Sequence, residues 1–219
     1  MADLQVPMWL PVALGVGAVV AWRLGRLLVA VALVAALALS LGVLPRLIGT
    51  GPPVGGPLAV GAPVPAVYRP WIERAGSQCP QVSPALLAAQ LSQESGFNPR
   101  ARSAVGAQGI AQFMPGTWPS WAVDADRDGT ASPWDPPDAI TAQGRFMCHL
   151  ATEAAKGLAT GRLSGDVVEL ALAGYNAGFG AVRAAGGVPS IPQTRGYVRS
   201  ILAATHLYST SSSSSGVPA

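Results

Sequence analysis

Charge is scarce in this chain. Only 11% of its 219 residues are Asp, Glu, Lys or Arg, so there is no basic stripe to grip a nucleic acid. The formal net charge is +3 and the pI about 9.2. However, Arg23, Arg26 and Arg46 lie in an apolar N-terminal segment, and setting them and Asp3 aside leaves the remainder near +1. The high pI therefore does not indicate a nucleic-acid partner. A P-loop, a CxxC pair and an HExxH helix are all absent, which removes the phosphate-cradling, thiol-redox and zinc-hydrolase classes. Histidine is nearly missing. His149 and His206 read as surface or half-buried residues, and Cys148 beside His149 is no metal pair, because adjacent helix positions face different directions. No alternating strand pattern and no internal repeat occur.

Long uncharged runs, by contrast, are present. Residues 27–44, LLVAVALVAALALSLGVL, contain no charged residue; as a helix they would be about 27 Å long, close to one bilayer core. We expect a transmembrane helix here. A second apolar stretch, 8–22, is shorter and broken by Pro11 and two glycines, which fits a short first span of a hairpin or an interfacial lead-in. Arg23 and Arg26 between the two stretches favour the cytoplasmic side, and either topology sends the rest of the chain outside; Arg46 argues mildly against this. A cleavable signal peptide is the alternative, although no small-x-small cleavage site stands out. The expected location is the cell membrane, with a single-pass or hairpin anchor and an extracytoplasmic domain. Residues 49–65, GTGPPVGGPLAVGAPVP, read as a Gly/Pro-rich tether. Residues 66–208 form the domain, and the Ser-rich tail 209–219 is expected to be disordered.

Within the domain the spacing is helical over 66–77, 84–95, 108–120, 138–158, 166–176 and 195–208. The second of these carries the most informative residue. In SPALLAAQLSQESGFNP, Ser83 and Pro84 supply an N-cap and a first-turn proline, and Leu87, Leu91 and Glu94 fall at i, i+4 and i+7. A carboxyl group on that apolar stripe is desolvated, its pKa rises, and it suits a general acid near neutral pH. The alternative is a core-edge glutamate that caps or pairs with Arg100 or Arg102.

Glu94 and Ser95 are followed by ARSAVGAQGIAQFMPGTW (101–118), ALAGYNAG (171–178) and QTRGYV (193–198). Four such elements in this order resemble the Slt-type lytic transglycosylases, the glycoside hydrolase family that includes goose-type lysozyme, over roughly residues 66–208. The resemblance implies a mainly α, lysozyme-like catalytic domain with its cleft between helices, acting on peptidoglycan. Glu94 matches the family's single catalytic acid. Ser103 matches a serine that lies near that carboxyl and can hydrogen-bond it; otherwise it is a loop residue. Gln112 and Met114 match cleft-lining positions, with loop and core packing as the alternative. Tyr175 and Asn176 match the YN pair near the acid, and Tyr197 matches the last tyrosine. Tyr175 also sits at helical spacing from Val168 and Ala171, so part of its ring is expected in the core, with its hydroxyl turned to the cleft. Gln193 stands where the family commonly has a glutamate; a glutamine can still bind a sugar but cannot ionise, which throws the chemistry onto Glu94.

The mechanism implied uses one acid and no cofactor. Glu94 protonates the oxygen linking N-acetylmuramic acid to N-acetylglucosamine, and the substrate's acetamido group stabilises the oxocarbenium-like charge. Glu94 then takes the proton of the muramyl C6 hydroxyl, which closes onto C1 as a 1,6-anhydro end. Two alternatives are a lysozyme-like muramidase, for which the sequence offers no convincing partner aspartate, and a wall-binding scaffold without turnover. Partners would be the glycan strands, the membrane, and envelope, secretion or conjugation machinery.

Cys79 and Cys148 form an even pair in an exported domain, so a disulfide is expected, with two buried free thiols as the alternative. Finally, DADRDGTASPWD places Asp124, Asp126, Asp128, Thr130 and Asp135 at the ligand positions of a calcium-binding loop, with Gly129 at its turn. A structural Ca2+ is one reading. The other is an Asp-rich turn leading to a helix capped by Asp138.

Overall fold

The computed structural model describes residues 54–210. The expected span at 27–44, the shorter stretch at 8–22 and most of the serine-rich tail lie outside the described residues. Among the described residues no helix is long and apolar enough to cross a membrane.

Among the described residues there are six α-helices: α1 (Arg69–Ala75), α2 (Pro84–Ser95), α3 (Pro136–Ala159), α4 (Val167–Ala177), α5 (Phe179–Ala185) and α6 (Pro192–Thr205). The expectation of a mainly α domain holds. α2 forms where its caps place it: Ser83 Oγ accepts from Leu86 N–H at 3.1 Å, Pro84 opens the first turn, and Gly96 ends the helix at φ +60°. Seven consecutive residues, Ala85 to Leu91, are buried, so α2 is the central helix, covered on nearly all sides. It packs between α1 and α6, while α3 packs on α1 and α4. Gly144 of α3 permits one of these approaches, since a Cβ there would lie 2.6 Å from Ala75 O.

Two expectations need correction. Residues 108–120 do not form a helix. Gly109 (φ +75°) and Gln112 (φ +52°) adopt left-handed backbone, Pro115 lacks an N–H, and only a 3-10 turn forms at Trp118–Ser120. The helix expected over 166–176 forms as α4, and a further helix that was not expected, α5, follows Gly178. Residues 54–64, expected as part of the tether, lie against the domain. Leu58 and Ala62 are buried, and Arg69 donates to the carbonyls of Ala59 (2.9 Å), Val60 (3.2 Å) and Ala62 (3.3 Å). Ala59 N–H bonds Tyr208 O at 2.8 Å. A Gly/Pro-rich composition limits helix and strand but leaves the few apolar side chains free to dock.

The disulfide Cys79–Cys148 is formed, with Cα atoms 5.9 Å apart across 69 residues. It ties the lead-in of α2 to α3, and closing a loop of that length contributes about 4 kcal/mol in the chain-entropy view.

Candidate active site

Glu94 lies in the last turn of α2, one residue before its end. It is half-buried, yet surrounded closely enough for desolvation to raise its pKa to about 7, an effect that the hydrogen bond from Tyr197 opposes. Tyr197, on α6, donates its hydroxyl to Glu94 Oε1 at 2.5 Å. Glu94 Oε2 has no hydrogen-bond partner among the described residues and is not fully buried. One oxygen is thus held and the other is open to a reacting group. Among the described residues Glu94 forms no salt bridge, so the alternative of an arginine-paired glutamate is set aside.

Two phenols frame the acid. Tyr175 and Tyr197 both have pKa values pushed well above the ordinary phenol, by burial first and then by the Glu94 charge. Both therefore stay protonated and act as donors. Tyr175 donates to Ala111 O at 2.8 Å, so its hydroxyl secures the loop and is not turned to the cleft as expected. Its ring packs on Phe113 and Phe146, at centroid distances of 6.1 and 5.1 Å. The part of it expected in the core is there.

The 101–114 loop is held from three sides. Ser95 Oγ donates to Ile110 O at 2.7 Å, Tyr175 holds Ala111, and Gln112 Nε2 donates to Ala101 O (3.1 Å) and Gly109 O (2.9 Å). Gly109 is required where the loop meets Pro133: a Cβ would lie 1.7 Å from Pro133 O. Gln112 spends its amide protons on the loop, which leaves only its oxygen to accept from a sugar hydroxyl. Ser103 does not bond Glu94. Its Oγ accepts from Ala107 N–H at 2.9 Å, closing a turn, and its own proton remains free. Met114 is 41% exposed, which favours an apolar platform over core packing.

Asn176 Oδ1 accepts from Thr194 Oγ1 at 2.9 Å, joining the end of α4 to the start of α6. Gln193 is exposed on the first turn of α6 and makes no side-chain hydrogen bond to the site. Two residues escaped the sequence reading. Thr194 holds Asn176, and Gln90, fully buried, donates to Tyr197 Oη at 3.0 Å. Gln90 had a signal, being a polar residue four before Glu94 on the same apolar face.

The acidic loop differs from a single twelve-residue ligand ring. Carboxylate oxygens of Asp124, Asp126 and Asp128 come within 4.8 Å of one another, and those of Asp126, Asp135 and Asp138 do likewise. Asp135 is the N-cap of α3 in place of Asp138. Asp138 is buried, and its two oxygens accept from Ala125 N–H (2.7 Å) and Ser132 N–H (2.9 Å). Thr130 donates its N–H to Asp128 Oδ1 at 2.8 Å. Asp135 Oδ2 is buried without a partner. Its carboxyl is pushed up to about 6, by burial first and then by the charges of Asp138, Asp126, Asp128 and Asp124.

Residues 72–194 match the family described as Transglycosylase SLT domain. Three solved structures resemble the chain. The 70 kDa soluble lytic transglycosylase from Escherichia coli is 27% identical, with 67% of this chain and 26% of that one covered and a TM-score of 0.46. A complex of the 70 kDa soluble lytic transglycosylase with bulgecin A is 28% identical, covering 65% and 24%, with a TM-score of 0.47. An inactive Glu-to-Gln mutant of the lytic transglycosylase Slt from Pseudomonas aeruginosa is 24% identical, covering 64% and 24%, with a TM-score of 0.47. The chain spans about a quarter of each of these proteins.

Proposed function

The chain belongs to the transglycosylase SLT domain family, and we propose that it is a peptidoglycan lytic transglycosylase with Glu94 as its single general acid and base. The observation that carries this reading is the state of Glu94. Burial desolvates its carboxyl and pushes its pKa up to about 7, with Oε1 held by Tyr197 and no charged group paired to it among the described residues. A group poised near the working pH gives up a proton and takes one back at small cost.

In this reading Oε2 carries the proton to the oxygen between N-acetylmuramic acid and N-acetylglucosamine. As the C1–O bond breaks, the substrate's acetamido oxygen stabilises C1. The Glu94 carboxylate then removes the C6 hydroxyl proton, and O6 bonds to C1. The proton lent in the first step is recovered in the last, no water is consumed, and the product is a 1,6-anhydromuramyl end. A hydrolase would need a base for water. Of the aspartates nearest in sequence, at 124–138, Asp124, Asp126, Asp128 and Asp138 accept from the backbone of their own loop, and Asp135 is buried among them. A scaffold without turnover would have no use for an acid that burial makes costly in its charged form.

The test is mass spectrometry of muropeptides released from purified peptidoglycan by the full-length protein and by Glu94→Gln. Anhydromuramyl ends from the native protein alone bear the reading out, whereas reducing ends, one water heavier, replace it with a muramidase.

We further propose that residues 27–44 anchor the protein in the cell membrane with the domain outside, where envelope, secretion or conjugation machinery is within reach. The disulfide supports an oxidising compartment. Resistance of the protein to alkaline extraction, with protease access from outside, is the expected result; release into the soluble fraction would refute the anchor. A structural Ca2+ at the acidic loop is supported by the orphaned Asp135 Oδ2 among like charges. Asp126, Asp135 and Asp138, whose carboxylate oxygens lie within 4.8 Å of one another, would hold the ion, in a role that stiffens the loop packed on Gly109.

A further inference from the structure

Gln90 is wholly buried in α2. Its Nε2 donates to Tyr197 Oη at 3.0 Å, and its Oε1 is buried with no partner at all. An orphaned buried amide oxygen is destabilising, and a leucine of similar size would avoid that cost. The native amide persists despite that cost, and its one hydrogen bond leads directly to the acid.

The two bonds run in one direction. Gln90 N–H gives to Tyr197 Oη, and Tyr197 O–H gives to Glu94 Oε1 at 2.5 Å. A phenol has a single proton. If the amide were turned, its oxygen would compete for that proton and draw it from Glu94; with Nε2 facing the phenol, the proton has only the carboxyl to go to. Gln90 and Glu94 share a face of α2 but are not hydrogen-bonded to each other, so the influence passes through a side chain from α6. The titratable group that acts on Glu94 is Tyr197 of α6, a neutral phenol; Tyr175 of α4, also neutral, feels the Glu94 charge in turn. No Asp, Lys, Arg or His among the described residues competes with this relay.

We propose that Gln90 is a positioning residue. By donating to the Tyr197 hydroxyl, it fixes that hydroxyl's proton on Glu94 Oε1 and leaves Oε2 as the oxygen that exchanges a proton with substrate. Chained hydrogen bonds polarise one another, so Gln90 also strengthens the bond that stabilises the Glu94 carboxylate. This rests on the reading of Glu94 as the acid.

The test compares the full-length native protein with Gln90→Leu, Tyr197→Phe and the double variant. Two readouts are taken: the 13C-carboxyl NMR titration of Glu94 and the pH profile of muropeptide release. Gln90→Leu should raise the Glu94 midpoint by about half a unit to one unit. The alkaline limb of activity should move by the same amount, and kcat should fall about tenfold with KM little changed. Tyr197→Phe should raise the midpoint further, and adding Gln90→Leu to it should change nothing more. An unmoved midpoint in Gln90→Leu, or a shift that adds in full on top of Tyr197→Phe, overturns the proposal. If Gln90→Leu does not fold, Gln90→Met is measured in its place; failure of both to fold makes the amide structural and overturns it too. Glu94→Gln is assayed alongside. Turnover retained there would sink the acid reading, while the titrations still decide the role of Gln90.

Discussion

Two regions of this protein hold carboxyl groups whose pKa values are raised, and they reach that state by different routes. Glu94 is a lone acid among phenols and apolar side chains, lifted to about 7 by desolvation. Asp135 sits in an acidic loop, lifted to about 6 by burial and by four neighbouring carboxylates. The isolated acid has one free oxygen and no counter-charge, so its natural exchange is with a proton. The crowded acid has an orphaned oxygen among like charges, so relief comes from protonation or from a cation. A shifted pKa by itself does not identify a catalytic group; the identity of the neighbours does.

The strongest way to break this contrast is Glu94→Gln. We expect about a 1,000-fold or greater loss of muropeptide release, as removal of a general acid commonly gives, against no more than a few-fold change for Asp135→Asn. Comparable losses from the two variants would erase the distinction.

Next in size is the disulfide, which joins the lead-in of α2 to α3, the helix that carries Asp138. Replacing both cysteines with serine should cost about 4 kcal/mol in denaturant unfolding. A loss under about 1 kcal/mol would mean that packing alone holds the two regions together.

The pH dependence separates the two acids further. For Glu94 the folded pKa, about 7, lies above the ordinary 4.5, so the folded state holds its proton longer. Its contribution is fully present below about pH 4.5 and is lost as pH rises towards 7, on the order of 3 kcal/mol in all. Glu94→Gln should therefore raise thermal stability at pH 8 and leave it unchanged at pH 4. Equal Tm differences at both pH values would contradict the desolvation argument. In activity the same titration should appear as a fall above pH 7, as the acid deprotonates.

The smallest effect is expected at the loop. Without a cation, Asp135 loses its stabilising contribution between about pH 4 and 6; because the loop is partly exposed and screened, that amounts to about 1–2 kcal/mol. Calcium should restore it at pH 7 and do nothing at pH 4, with the Glu94 titration unmoved. A calorimetric scan that is the same with calcium and with a chelator would leave the loop as a bare Asp-rich turn.

Much of this site was legible before the fold was known. Ser83, Pro84 and Gly96 mark the ends of α2 because caps act locally, and the i, i+4, i+7 spacing put Glu94 on a buried face because helical period is local too. Residues 108–120 misled for the same reason. Their apolar spacing resembles a helix, but Gly109 and Gln112 take left-handed backbone to meet Pro133 and Ala101, partners distant in sequence or folded back in the loop. Ser103 and Tyr175 lay in the expected motifs, yet their hydroxyl groups are engaged by Ala107 N–H and Ala111 O. Motif order says which residues gather; it does not say which atom each one faces.

The sequence by itself determined the helical class and the ends of the central helix, which follow from period, caps and residue type within a few turns, and the order of its motifs, through the family they resemble, singled out Glu94. The tertiary structure alone decided that Tyr197, 103 positions away, takes one oxygen of that acid, that Gln90 stands behind it, and that Asp138 joins the acidic loop. Desolvation and hydrogen-bond direction are sums over atoms supplied by every packed element, and no local stretch of chain contains them.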